Sequence, residues 1–121
     1  MFLASQTAAR HMGDGGRIIT IGTCVTERVP GPGMTLFTMS KSALNGLTKG
    51  LARDLGPRGI TATLIHPGPI DTHANPADGP QAPAFSNLTT VGRYGTTDDI
   101  AAAHLAGEDG RCITGTAISV D

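Results

Sequence analysis

Residues 35–65, TLFTMSKSALNGLTKGLARDLGPRGITATLI, decide the fold class. Leu44, Leu47, Leu51 and Leu55 recur at steps of three and four, which lays one apolar stripe along a helix over Thr35–Leu55. Gly56-Pro57 then ends it, since proline cannot continue a helix that a glycine has closed. Ile60-Thr61-Ala62-Thr63-Leu64-Ile65 follows with the β-branched run of a buried strand, closed by His66-Pro67-Gly68-Pro69. A second line on the helix, Met39, Ala43, Gly46 and Gly50, is mostly small. Glycine inside a helix costs about 1 kcal/mol relative to alanine. Two of them at i and i+4 therefore suggest close approach of another helix, either within the domain or across a subunit interface.

Upstream, residues 2–12 read as a short helix, stopped by Gly13-Asp14-Gly15-Gly16. Arg17-Ile18-Ile19-Thr20-Ile21-Gly22 reads as another buried strand. The prolines of Val29-Pro30-Gly31-Pro32-Gly33 order the loop after it. Downstream, residues 73–92 look like a long mobile loop. Thr97-Asp98-Asp99 offers an N-cap and acidic first turn to a helix running to about Ala106, and Thr116–Val120 is a last strand. The alternation α-β-α-β-loop-α-β implies a parallel sheet with right-handed crossovers. Three strands make a thin sheet, and no strand precedes the first helix-like segment, so the chain reads as half of a three-layer architecture.

Composition narrows the functional classes. With 9 Lys+Arg against 10 Asp+Glu in 121 residues there is no basic field to collect nucleic acid or an anionic membrane. No apolar run approaches the roughly 20 residues that span a bilayer, and Met1-Phe2-Leu3-Ala4 lacks a basic leader region. The two cysteines, Cys24 and Cys112, are too few for a disulfide scaffold, which points to a cytoplasmic location. The histidines, His11, His66, His73 and His104, lack metal-ligand spacing, so no metal is expected. Asp98-Asp99 is more simply a helix start than an acid pair. Cys24 beside Thr23 invites a thiol-nucleophile reading with His66 or His104, but a lone buried cysteine is ordinarily inert.

Thr35-Leu36-Phe37-Thr38-Met39-Ser40-Lys41-Ser42-Ala43-Leu44 resembles the active-site helix of the short-chain dehydrogenase/reductase family, whose pattern is Tyr-x-x-x-Lys. Phe37 stands at the tyrosine place and Lys41 at the lysine place. Arg17–Thr23 resembles the family's strand ending in the active-site serine, with Thr23 at that place, fourteen residues before Phe37. His66-Pro67-Gly68-Pro69-Ile70-Asp71-Thr72 resembles the Pro-Gly-x-x-x-Thr segment that clasps the nicotinamide end of the cofactor. Gly92-Arg93-Tyr94-Gly95, Asp98-Asp99-Ile100-Ala101 and Ile113-Thr114-Gly115 fit the family's C-terminal region, so the resemblance runs through residues 1–121 in order.

The resemblance implies an α/β fold, the C-terminal half of a Rossmann-like domain, and NAD(P)-dependent interconversion of an alcohol and a ketone or aldehyde. The implied catalytic positions are Thr23, Phe37 and Lys41; Lys41, Pro67, Gly68, Ile70 and Thr72 would hold NAD or NADP. In the family the tyrosine hydroxyl moves the proton, the lysine one turn on lowers its pKa, and the serine hydroxyl polarises the carbonyl. Thr23 keeps a hydroxyl. Phe37 has none, and a positioned acid/base is worth about 10²–10⁴-fold in rate. Tyr94, the only tyrosine, falls in a segment that the family does not use for proton transfer. The family's solvent-relay asparagine has no match in the first helix. No G-x-G-x-x-G exists in these residues, so the phosphate-binding turn of a dinucleotide fold is missing and NAD(P) should bind poorly to this chain alone.

The expectation is therefore a truncated, catalytically impaired member of the family. The alternative is a non-catalytic module docking on an intact relative. Its helices 2–12 and 35–55 resemble those of the family's subunit-pairing bundle, which could equally build a homo- or hetero-oligomer. Outside the resemblance, Lys41 would be an ordinary surface lysine, Phe37 a packing residue and Pro67-Gly68 a strand-ending turn. The substrate and the choice between NAD and NADP are not encoded here.

Overall fold

The computed structural model describes residues 1–100 and 105–121. Its helices are α1 (Phe2–His11), α2 (Thr35–Leu55) and the short α3 (Ala82–Ser86). Its strands are β1 (Arg17–Ile21), β2 (Thr61–Pro67) and β3 (Thr116–Val120). All pairing is parallel in the order β1-β2-β3, with Arg17 opposite Thr61 and Thr63 opposite Thr116. The α/β parallel-sheet expectation holds.

Burial follows position in the sheet. Central β2 is buried from Thr61 to His66, with Leu64 fully so. The flanking strands are not. In β1 only Thr20 is buried, and Ile21 is 46% exposed, so the buried strand expected at 17–22 is an edge strand of this sheet. α2 packs against β2. Leu44 is buried on that face, and so is Thr48 one turn later, a core position that a search for apolar residues passes over. Leu47, Leu51 and Leu55 are half-buried.

The small-residue line of α2 faces outward. Met39 is 62% exposed, and a Cβ added at Gly46 or Gly50 meets nothing within 4 Å. Of the two readings of that line, packing against another helix of the same domain is not found among the described residues.

Turn chemistry sets the entry to the sheet. The 3-10 turn Gly56–Arg58 hands the chain to β2 through Gly59, whose φ of +67° favours glycine. The Gly15 N–H donates to the Arg58 carbonyl and the Thr61 N–H to that of Gly16, so β1 and β2 start in register. The Arg58 guanidinium donates to the Ala9 carbonyl (2.8 Å) and to that of Met12, occupying carbonyls that the end of α1 leaves free.

One expectation downstream needs correction. Residues 73–92 are not a long mobile loop: they carry α3 and are tied down at both ends. The Ala77 N–H donates to the Asp71 carboxylate (2.9 Å), and the buried Tyr94 hydroxyl donates to Asn75 Oδ1 (3.2 Å). Of the helix expected over 97–106, residues 98–100 form a 3-10 turn, Leu105 and Ala106 are helical as expected, and residues 101–104 lie outside the described residues.

Candidate active site

The C-terminal ends of parallel strands are where an α/β sheet builds its sites. At the end of β1 the chain turns through Thr23 into a short 3-10 helix, Cys24–Thr26. The Thr23 Oγ1 accepts the Val25 N–H (3.3 Å), which leaves the hydroxyl proton free to be donated elsewhere. At the end of β2, Pro67 and Gly68 break the strand, and the Gly68 N–H donates to the Val120 carbonyl (2.8 Å). A Cβ on Gly68 would fall 3.0 Å from the Asp121 Cα, so glycine is required there by close approach. The next residues are held by a second strand-like contact. Ile70 bridges Gly95, the Gly95 N–H donates to the Pro69 carbonyl (2.9 Å), and the Asp71 N–H donates to that of Gly95 (2.8 Å).

α2 brings Phe37 and Lys41 over these strand ends, one turn apart, with the Lys41 Nζ 6.0 Å from the Phe37 ring centroid. Thr23, Phe37, Lys41, Pro67, Gly68, Ile70 and Thr72 all line one open cleft of about 510 Å³. The seven site residues expected from the sequence are thus brought together from three elements. Phe37 is 43% exposed, facing the cleft rather than a core. Ile21, Gly22, Asn75, Thr97 and Ile100 also line it and were not expected from the sequence. Tyr94 does not line the cleft; it is buried against Asn75.

Behind Thr23 lies a second, more apolar cavity of about 310 Å³, lined by Cys24, Val25, Phe85 and Leu88 among others. Burial, and to a lesser extent the negative charge of Asp121, push the Cys24 thiol up from its ordinary value. A thiol held protonated is a poor nucleophile, which removes the nucleophile reading of Cys24. The Thr96 N–H donates to the Asp99 carboxylate at 2.7 Å and, with the Thr96 hydroxyl at 3.0 Å, holds its pKa below the usual carboxylate range. Asp99 therefore serves the turn, as the helix-start reading implied.

His66 was not singled out for the role its geometry gives it. It is 1% exposed, its Nδ1 lies 2.6 Å from the Thr23 carbonyl oxygen, and its Nε2 lies 3.5 Å from Asn45 Oδ1 on α2. A histidine closing a buried strand just before Pro67-Gly68 was the available signal.

A family model described as enoyl-(acyl carrier protein) reductase matches residues 1–121. The chain is 47% identical over 120 residues to the cyclic-di-GMP-binding biofilm dispersal mediator protein of Escherichia coli, covering 98% of this chain and 51% of that protein. It is 38% identical over 110 residues to a 3-oxoacyl-(acyl-carrier-protein) reductase of Haemophilus influenzae, covering 88% of this chain and 45% of the relative. Among solved structures, a short-chain dehydrogenase/reductase from Serratia marcescens superposes with a TM-score of 0.94 at 55% identity, over 98% of this chain and 49% of that one. A blue fluorescent protein from a metagenomic library, in complex with NADPH, gives 0.94 at 54% identity over 99% and 49%. The chain spans about half the length of the curated relatives it matches. With the family model matched along the chain and the site's order preserved, the chain belongs to the short-chain dehydrogenase/reductase family.

Proposed function

We propose that residues 1–121 supply the active-site helix and C-terminal strands of an NAD(P)-linked oxidoreductase that interconverts an alcohol and a ketone or aldehyde. In this reading the proton-transfer step is crippled by Phe37. The observation that carries it is the shared cleft: a lysine from α2, a hydroxyl from the end of β1 and the segment after β2 converge on it. Two of the solved relatives that resemble the chain are complexes with NADPH. A nicotinamide ring, when bound, supplies or accepts the hydride.

The residues present suit the nicotinamide end of such a cofactor. Lys41 offers a cation and three donors to a ribose, and the Gly68 backbone permits close approach. Ile70 and Thr72 face the same space. Thr23 donates its hydroxyl proton to a substrate carbonyl, polarising it. Among the described residues no phenol lines the cleft, so Lys41 has none to acidify and the proton reaches the substrate oxygen slowly. No Gly-rich phosphate turn occurs in these 121 residues, so they bind the dinucleotide weakly by themselves.

The outward face of α1 and α2 suits a partner helix pair. Phe2, Leu3, Leu36 and Met39 are between 59% and 73% exposed, beside Gly46 and Gly50, and a second copy of the chain or a relative is the proposed occupant. A docking module alone would have no use for a lysine held over strand ends, so the oxidoreductase reading is preferred. No helix among the described residues is long and apolar enough to cross a membrane. A cytoplasmic location is proposed from the two free cysteines.

The test is NADPH oxidation over a panel of aldehydes and ketones at high cofactor concentration. Phe37→Tyr should raise turnover about 10²–10⁴-fold over the unaltered chain. Unaltered turnover within about a hundredfold of ordinary enzymes, whose kcat is about 1–10³ s⁻¹, would overturn the impairment. A Phe37→Tyr chain that binds NADPH and still gains no turnover would overturn the oxidoreductase reading.

A further inference from the structure

We infer that His66 is a positioning residue, a buried imidazole clamp that fixes the Thr23 turn against α2 and so sets where the Thr23 hydroxyl points. The inference rests on the oxidoreductase reading for its consequence, but its geometry stands apart from it. His66 ends the buried stretch of β2, next to Pro67-Gly68. Its Nδ1 lies 2.6 Å from the Thr23 carbonyl oxygen, and its Nε2 lies 3.5 Å from the Asn45 side chain, one turn beyond Lys41. One ring therefore touches two carriers of the site and sits on the third.

Both backbone groups of Thr23 meet one ring nitrogen. The Thr23 N–H points at Nδ1 from 3.2 Å, the Thr23 carbonyl oxygen lies 2.6 Å from the same atom, and the Thr26 hydroxyl lies 3.5 Å away. A ring nitrogen donates or accepts according to its tautomer, and in either form the partner of Nδ1 is the Thr23 backbone. The Thr26 hydroxyl donates to the Thr23 carbonyl (3.0 Å), which holds the same turn from a second side. Gly22 is part of the device: a Cβ there would lie 2.9 Å from Nδ1, so only glycine leaves the ring its place.

The consequence follows from the shared turn. The Thr23 carbonyl and hydroxyl belong to one residue held in an extended conformation, φ −165° and ψ 147°. Losing the ring's contact with the Thr23 backbone frees the turn that aims the hydroxyl. His66 acts through Thr23 and does not line the cleft.

Two variants test the clamp on the full chain. Asparagine places its amide, donor and acceptor alike, near the Nδ1 position and glutamine near Nε2. In the Phe37→Tyr chain, adding His66→Asn should leave kcat for carbonyl reduction within about threefold. Adding His66→Gln should lower it about 10- to 100-fold, with KM for NADPH unchanged. Equal losses in both variants would show a merely structural histidine and overturn the role. If the Phe37→Tyr chain binds NADPH yet is inactive, the oxidoreductase reading fails; if it does not bind NADPH, the missing phosphate turn accounts for the inactivity. The Thr23 amide resonance, expected to stay in place in His66→Asn and to move in His66→Gln, then decides the clamp.

Discussion

The Lys41 ammonium lies 6.0 Å from the centre of the Phe37 ring, one helical turn away, so the cation meets an aromatic face and no hydroxyl. A cation over an aromatic ring is worth about 0.5–1 kcal/mol at an exposed site. That contact holds the lysine over the strand ends without giving it a phenol to acidify.

Restoring the hydroxyl should make the lysine's electrostatic role measurable. In Phe37→Tyr the phenol sits beside a cation that favours its ionised form, so its pKa should fall below the ordinary value of about 10. The pH profile of kcat/KM should inflect below that value. Adding Lys41→Met should move the inflection upward and lower the rate about 10²-fold or more. An inflection that ignores Lys41 would show that the lysine does not tune the phenol.

The Gly22–His66 approach predicts a specific intolerance. Gly22→Ala inserts a methyl group 2.9 Å from Nδ1 and 3.1 Å from the Leu64 Cδ1, where the neighbours are fully buried. Such overpacking costs about 1–3 kcal/mol. Urea denaturation should show that loss, and combining Gly22→Ala with His66→Asn should cost less than the two single losses together, because the smaller side chain relieves the clash. Additive losses would place the strain elsewhere.

How much of this was legible in the sequence depended on the kind of signal. Periodicity located α2 to the residue, because leucines at three and four steps define a face whatever the neighbours are. It gave the wrong weight to β1, since Ile18, Ile19 and Ile21 read as buried whether or not a strand covers their edge, and here only β2 lies between two others. The site residues came from the family pattern at Thr23, Phe37, Lys41 and 67–72, and the structure brings them to one cleft. Asn45 and Asn75 carried no signal, because each takes its place from a partner distant in the chain, and His66 showed only as a histidine closing β2. Thr48 was missed because its burial depends on packing rather than on hydrophobicity.

The tie between α1 and the start of β2 predicts an uneven pair of mutants. Arg58 donates to the carbonyls of Ala9 and Met12, while its ion pair with Asp14 is 3.6 Å long and the Asp14 side chain is 86% exposed. Charged hydrogen bonds to backbone carbonyls are worth about 1.5–3 kcal/mol, and an exposed ion pair about 0–1. Thermal unfolding should therefore show Arg58→Ala losing about 1–3 kcal/mol and Asp14→Ala within about 0.5. Equal losses would mean that the ion pair, not the helix end, carries the contact.

The two cysteines should separate by pH and by reagent. Cys112 is exposed, while Cys24 is half-buried beside Thr23 with its thiol pushed up by burial and by Asp121. A group whose pKa is raised by folding contributes stability that is complete below its unfolded value, about 8.5 for a thiol, and fades as pH rises through the folded value. The fold should therefore weaken on the alkaline side, and Cys24→Ala should flatten that limb of the melting curve. Iodoacetamide at neutral pH should label Cys112 at least about tenfold faster than Cys24, because the thiolate is the reactive form and Cys112 is the more exposed of the two. Asp121→Asn should quicken the labelling of Cys24 by removing the charge that opposes ionisation. Labelling of Cys24 that matched Cys112 at neutral pH, and ignored Asp121, would mean that the turn after β1 opens to solvent, and with it the Thr23 contact that His66 is proposed to hold.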